Sequence, residues 1–158
     1  MKKLSLLILA ITIAASSFAQ TSSVEITTVK KIKTDETVTS LKVYNNVEVF
    51  LTDDSTKGIQ IVGEKAEVEN IQVKISNGVL TITNPSGEFS KDKVAMFVPS
   101  KDLCQVFIHG SSIISSVNVI SNEMLDVTIN GNGKYQIKTT GSLNVNTIDD
   151  FPIELACI

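Results

Sequence analysis

The one histidine of the chain, His109, lies close to two serines, Ser111 and Ser112. A serine hydroxyl beside an imidazole is the raw material of a nucleophile and its base, but triad chemistry depends on geometry rather than on adjacency in sequence. Alternation through Val106 and Ile108 turns His109 outward, and serines beside a glycine are ordinary turn residues. Asp53-Asp54 and Asp149-Asp150 are the acidic pairs. They offer oxygen ligands for calcium, or the two carboxylates that a glycosidase places across a groove. Neither pair sits in an EF-hand loop or in a repeated Gly-Gly-x-Gly-x-Asp nonapeptide. Turn chemistry accounts for both. One histidine and two separated cysteines make no zinc signature.

Two further features have a chemical reading. Ile129-Asn-Gly-Asn-Gly-Lys-Tyr135 is rich in glycine. A phosphate cradle of that kind needs a helix to follow, with its N–H groups aimed at the anion. Here the alternating KYQIK follows, which reads as a strand. Cys104 and Cys157 are the only cysteines. An oxidising compartment permits a bond between them. Strand parity instead puts both on apolar faces, Cys104 with Val106 and Ile108, which favours two buried free thiols. The expectation is therefore a protein with no catalytic residue, no cofactor and no metal ligand, and not an enzyme.

The elements that would position any site are strands. VFIHGSS (from Val106), VTINGNG (from Val127) and IKTTGSL (from Ile137) each alternate apolar and polar residues and run into a glycine. The first two superimpose at an offset of 21 residues: Val106 on Val127, Ile108 on Ile129, Gly110 on Gly131. That offset, with no helix between the units, suits one rung of a β-solenoid. Val106, Ile108, Val127 and Ile129 are the expected core. Gly110, Gly131, Gly133 and Gly141 are the expected corners, where positive φ is needed, with Asn130 and Asn132 the next best residues. The expected fold is all-β, a right-handed parallel β-helix-like solenoid. An antiparallel β-sandwich is the alternative, because short strands at regular spacing also suit it.

Period-two patterning extends through most of the chain. VEITTVKKIK (from Val24) reads as a first strand with lysines on its polar face. LKVYNNVEVFLT (from Leu41) reads as two strands about Asn45-Asn46, with Val47, Val49 and Leu51 on one side. GIQIVG (from Gly58) follows with Ile59 and Ile61 inward. EKAEVENI (from Glu64) is the one stretch with helical character. IQVKISNGVLTIT (from Ile71) flanks Asn77-Gly78, the dipeptide of a tight hairpin by default, or of a sharp corner between successive faces of a solenoid. VAMFVP (from Val94) is a further buried strand, and PIELACI is a last one.

The N-terminus supplies an address. Lys2 and Lys3 precede an apolar run from Leu4 to Ala15, and Ser17-Phe18-Ala19 places small residues at a cleavage site. Residues 1–19 therefore read as a secretory signal peptide, with an uncleaved anchor as the competing reading. Residues 20–40 read as an N-terminal strand or cap segment and residues 41–158 as the solenoid domain. Removing the signal takes away two lysines and no acid, moving the net charge from −3 to −5. An acidic chain is a poor match for nucleic acid or an anionic lipid surface, and the mature chain holds no membrane span. Tryptophan is absent and aromatics are few, which weakens the case for a sugar site built on aromatic platforms. The expected location is the periplasm, the outer-membrane surface or the extracellular medium.

From about Leu41 to Ile148 the chain resembles the head GIN domain family of auto-transporter adhesins, found in Bacteroidetes-type bacteria. The N-terminal half carries the likeness in VYNNVEVFLTDDSTKGIQIVGEKAEVENIQVKISNGVLTI, and the C-terminal half in VAMFVPSKDLCQVFIHGSS and LDVTINGNGKYQI. Where the family usually has Ser-Gly, this chain has His109-Gly110 and Asn130-Gly131. The resemblance implies the parallel β-helix-like fold, an envelope or secreted location and an adhesin-type role. It assigns no binding residue. The expected partner is a polysaccharide or an envelope protein, met by a polar face of Ser, Thr and Asn. A scaffold without a glycan ligand is the alternative, and a polysaccharide-active enzyme a distant third.

Overall fold

The computed structural model describes residues 27–54, 58–87, 94–148 and 154–155. Residues 1–19, expected from the sequence to be a signal peptide, and Asp149-Asp150 and Cys157 lie outside the described residues. In chain order the elements are β1 (Thr27–Ile32), β2 (Ser40–Tyr44), β3 (Glu48–Thr52), β4 (Ile59–Glu64), α1 (Lys65–Asn70), β5 (Gln72–Ser76), β6 (Val79–Thr83) and β7 (Val94–Pro99). They continue with β8 (Gln105–His109), β9 (Ile113–Ser116), β10 (Met124–Asn130), β11 (Lys134–Gln136), β12 (Ser142–Thr147) and β13 (Glu154–Leu155). Among the described residues the fold is all-β apart from one short helix, Lys65–Asn70, which lies within EKAEVENI and buries Val68. No helix among the described residues is long and apolar enough to cross a membrane.

The strands form two mixed sheets. One runs β1-β4-β7-β3-β9-β11-β13 and the other β12-β10-β8-β2-β6-β5. The antiparallel pairings are β1 with β4, β4 with β7 and β5 with β6. The other strand pairings among the described residues are parallel. A strand of the second sheet turns a corner into a strand of the first: β2 into β3, β8 into β9, β10 into β11. These units lie side by side in one register. Val106 pairs with Val127 and Ile108 with Ile129 across β8 and β10, while Ile113 pairs with Lys134 across β9 and β11. Both pairings keep the 21-residue offset read from the sequence.

Period-two patterning becomes two-faced burial. Inward residues of both sheets join one hydrophobic cluster, in which Leu41, Val49, Ile61, Ile82, Met96, Ile108, Ile114, Val127 and Tyr135 are buried. Their outward neighbours stay half-buried or exposed. Asn77 (φ 53°) and Gly78 (φ 75°) form the tight turn of a true hairpin between β5 and β6. Asn45 (φ 61°) and Asn46 (φ 43°) turn the corner from β2 to β3. Asparagine tolerates that left-handed geometry better than other non-glycine residues do.

Two expectations need correction. Cys104 is exposed, not buried. The N–H groups of Cys104 and Gln105 both donate to the carbonyl of Thr39, at 2.8 and 3.2 Å. Two successive residues facing one acceptor make the alternation slip, as at a β-bulge. Leu103 takes the interior position instead and is fully buried. The second correction concerns the corners. Gly110 (φ 98°) and Gly131 (φ 147°) are left-handed as expected, but Gly133 and Gly141 are not among the positive-φ residues, nor are Asn130 and Asn132. Gly133 is hemmed in by the Ser112 carbonyl and the Tyr135 hydroxyl, and Gly141 by the Asn122 and Glu123 carbonyls. Close approach between backbones, rather than backbone conformation, excludes a side chain at those two positions.

A groove on the outer face of one sheet

The β12-β10-β8-β2-β6-β5 sheet turns its even-numbered β2 residues outward, and register carries their neighbours with them. Ser40 lies beside Gln105, Gln105 beside Asp126, and Asp126 beside Asn144. The next row is Lys42, Phe107, Thr128 and Asn146, and the third is Tyr44, His109 and Asn130. These rows cross the strands at right angles, one residue per strand. Strand spacing sets their pitch at about 4.7–4.9 Å. A shallow groove of about 300 Å³ opens across these rows, lined by Ser40, Lys42, Tyr44, Gln105, Phe107, Asp126 and Thr128.

The groove has an aromatic wall. Tyr44 meets Phe107 at a centroid distance of 6.1 Å and His109 at 6.0 Å, both tilted by about 50°. The three rings cluster where β2 and β8 adjoin. Beyond them the Asp126 carboxylate accepts from the Asn144 amide at 2.9 Å. Such a surface offers ring faces for apolar contact beside donors and acceptors for polar groups.

The residues singled out in the sequence fall elsewhere. Val106, Ile108, Val127 and Ile129 are buried inside, beneath the groove floor. Gly110 and Gly131 sit at the corner beside it. His109 is exposed and belongs to the aromatic cluster. Ser112 is buried, and its hydroxyl accepts from the Val47 N–H at 3.3 Å. The N–H of Ser111 donates to the Asn46 side chain at 2.9 Å. Both serines thus serve the corner. Asp54 donates its N–H to the Thr52 hydroxyl at 3.2 Å, a local turn. The glycine-rich INGNGKY leads into β11. No group of three or more His, Cys, Asp or Glu side chains among the described residues is placed to hold a metal ion.

The groove residues Lys42, Tyr44, Phe107, Asp126 and Thr128 went unread in the sequence. One signal was available: Tyr44 and Phe107 are large rings at the polar positions of alternating strands. What brings them together is the pairing of β2 with β8, and 65 residues separate Lys42 from its neighbour Phe107.

Comparison with known proteins agrees with this architecture. A putative adhesin from Parabacteroides merdae superimposes with a TM-score of 0.60 at 18% identity, over 83% of this chain and 57% of that one. A putative adhesin from Bacteroides fragilis gives 0.59 at 18% identity, over 84% of this chain and 72% of that one. The chain thus spans just over half the length of the first of these. At such identity the likeness is one of fold. A comparison with curated proteins gives no match. Residues 37–150 match the family described as "putative auto-transporter adhesin, head GIN domain", and the chain belongs to that family.

Proposed function

We propose that this chain is an exported, non-enzymatic binding module of the cell envelope, with adhesin-type attachment as its role. Residues 1–19 are its signal peptide, residues 20–40 a capping segment and residues 41–158 a β-solenoid. The preference of parallel crossover connections for one hand makes that solenoid right-handed. The parallel, in-register stacking of β2-β3, β8-β9 and β10-β11 supports the reading. One observation carries the functional part: register lines up Ser40, Gln105, Asp126 and Asn144 as a straight outward row beside Lys42, Phe107, Thr128 and Asn146. A straight ladder of donors and acceptors suits an extended polymer, gripped by many weak contacts rather than one deep pocket. A polysaccharide or an extended segment of an envelope protein fits that geometry. Family membership supports an adhesin-type role.

The test is a glycan array probed with residues 20–158, paired with fractionation of cells that express the chain with and without residues 1–19. Binding to a subset of polysaccharides, and export that depends on the first 19 residues, are expected. Retention in the cytoplasm with residues 1–19 present overturns the export reading. Silence across the array, together with no bound envelope protein, leaves a scaffold and overturns the binding role.

A further inference from the structure

We infer that the groove over Phe107 and Tyr44 is a subsite for an uncharged, extended β-linked polysaccharide that runs across the strands rather than along them. The inference rests on the binding role proposed above and names the ligand class and the place. Three features of the groove carry it.

The first is chemical. The C–H face of a pyranose ring packs against aromatic rings while its equatorial hydroxyls reach sideways to polar groups. Phe107 and Tyr44 supply ring surface along the groove, their centroids 6.1 Å apart. Gln105, Asp126 and Asn144 line one side of that surface as a row. The Asp126 carboxylate and the Asn144 amide already bond to each other at 2.9 Å, which fixes both side chains before a ligand arrives and lowers the ordering cost of binding.

The second is electrostatic. The groove holds one lysine, Lys42, and one carboxylate, Asp126. Their charges cancel, whereas the whole chain carries a net charge of −3. A polyanion meets repulsion from the chain and no basic cluster in the groove. A neutral polymer meets neither penalty, and both charged groups can hydrogen-bond to hydroxyls.

The third is metric. Outward rows repeat once per strand, at about 4.7–4.9 Å. An extended β-linked pyranose chain advances by nearly one strand spacing per sugar. Successive sugars then meet Lys42, Phe107 and Thr128 in turn, on β2, β8 and β10. An α-linked glucan winds and loses that match after one or two residues.

The experiment titrates residues 20–158 with cellohexaose, with the β-1,4 hexamer of N-acetylglucosamine and with maltohexaose, followed by calorimetry. The variants are Phe107→Ala, Phe107→Tyr and, on the opposite sheet, Phe97→Ala. Melting temperatures check that each variant is folded. At least one β-linked hexamer is expected to bind, and maltohexaose is expected to bind about ten-fold more weakly or not at all. Phe107→Ala should weaken the β-linked hexamer by about ten-fold, Phe107→Tyr should restore most of the affinity, and Phe97→Ala should leave it unchanged. Equal binding by wild type and a folded Phe107→Ala overturns the placement of the subsite while leaving a binding module intact. Binding of neither β-linked hexamer, or of maltohexaose equally well, overturns the ligand class. Failure on every glycan and every envelope protein sinks the binding role itself.

Discussion

Gly131 lies directly over Gly110. A β-carbon on Gly131 would press into the Gly110 carbonyl group, 2.8 Å from its carbon, and the φ of 147° at Gly131 already lies where L side chains rarely go. The two corners approach this closely because Gly131 carries no side chain. The N–H of Gly110 donates to the carbonyl of Asn130 at 2.9 Å, which ties one corner to the next.

Gly131→Val should therefore destabilise the protein twice over, by about 1–3 kcal/mol through backbone strain and by a comparable amount through overlap. Urea denaturation of wild type and variant measures it. A midpoint unchanged within error would mean that the corners are not stacked this way.

Ile129 is 2% exposed and pairs with Ile108 inside the sheet. Ile129→Ala should cost about 2–5 kcal/mol, since the lost methylenes leave a cavity. Asn146→Ala, at an exposed outward position on β12, should fall within about 0.5 kcal/mol of wild type. Similar losses at both sites would contradict the assignment of inner and outer faces.

Tyr135 is fully buried, and its hydroxyl has no hydrogen-bond partner. Burial raises its pKa above 10.0. The phenolate is thus disfavoured in the folded state, and the unfolded chain loses its proton first. Stability from this group is complete below about pH 10 and falls as pH rises through the folded-state value. Tyr135→Phe removes an unsatisfied buried polar atom, so at pH 7 it should be neutral or stabilising by about 1 kcal/mol. It should also flatten the loss of stability in alkaline solution. Thermal melts between pH 7 and 11 check both. A variant markedly less stable at pH 7 would show that the hydroxyl is satisfied after all.

Cys104 is exposed, with its sulfur 3.6 Å from the carbonyl oxygen of Asp102. After mild reduction it should react with iodoacetamide in the folded protein, without denaturant. Peptide mapping locates the label. Protection of Cys104 until the protein unfolds would restore the buried thiol read from strand parity.

Local patterns in the sequence were legible where a short-range rule governs them. Alternation of the kind seen in Val47, Val49 and Leu51 places side chains on opposite faces whatever the strand pairs with, because successive β-carbons must point opposite ways. Asn77-Gly78 announces its hairpin because few other dipeptides accept positive φ twice. The 21-residue echo of Val106 and Ile108 in Val127 and Ile129 anticipates their pairing, since equal units stack most simply on one another. Cys104 escaped the same reasoning because one doubled hydrogen bond to Thr39 shifts the alternation by a residue, and no residue type in that stretch signals it.

Chain order alone determined the strands, their two faces and the family likeness. Beyond the β8-β10 pairing that the repeat announces, tertiary structure decided which strand lies beside which. The β2-β3 unit inserts between β6-β7 and β8-β9, so spatial order departs from chain order. The outward groove of Lys42, Tyr44, Phe107 and Asp126 exists only because of that insertion. The reason is physical: alternation is a property of neighbouring residues, whereas strand pairing reflects the burial achieved by the whole chain at once, which no local pattern records.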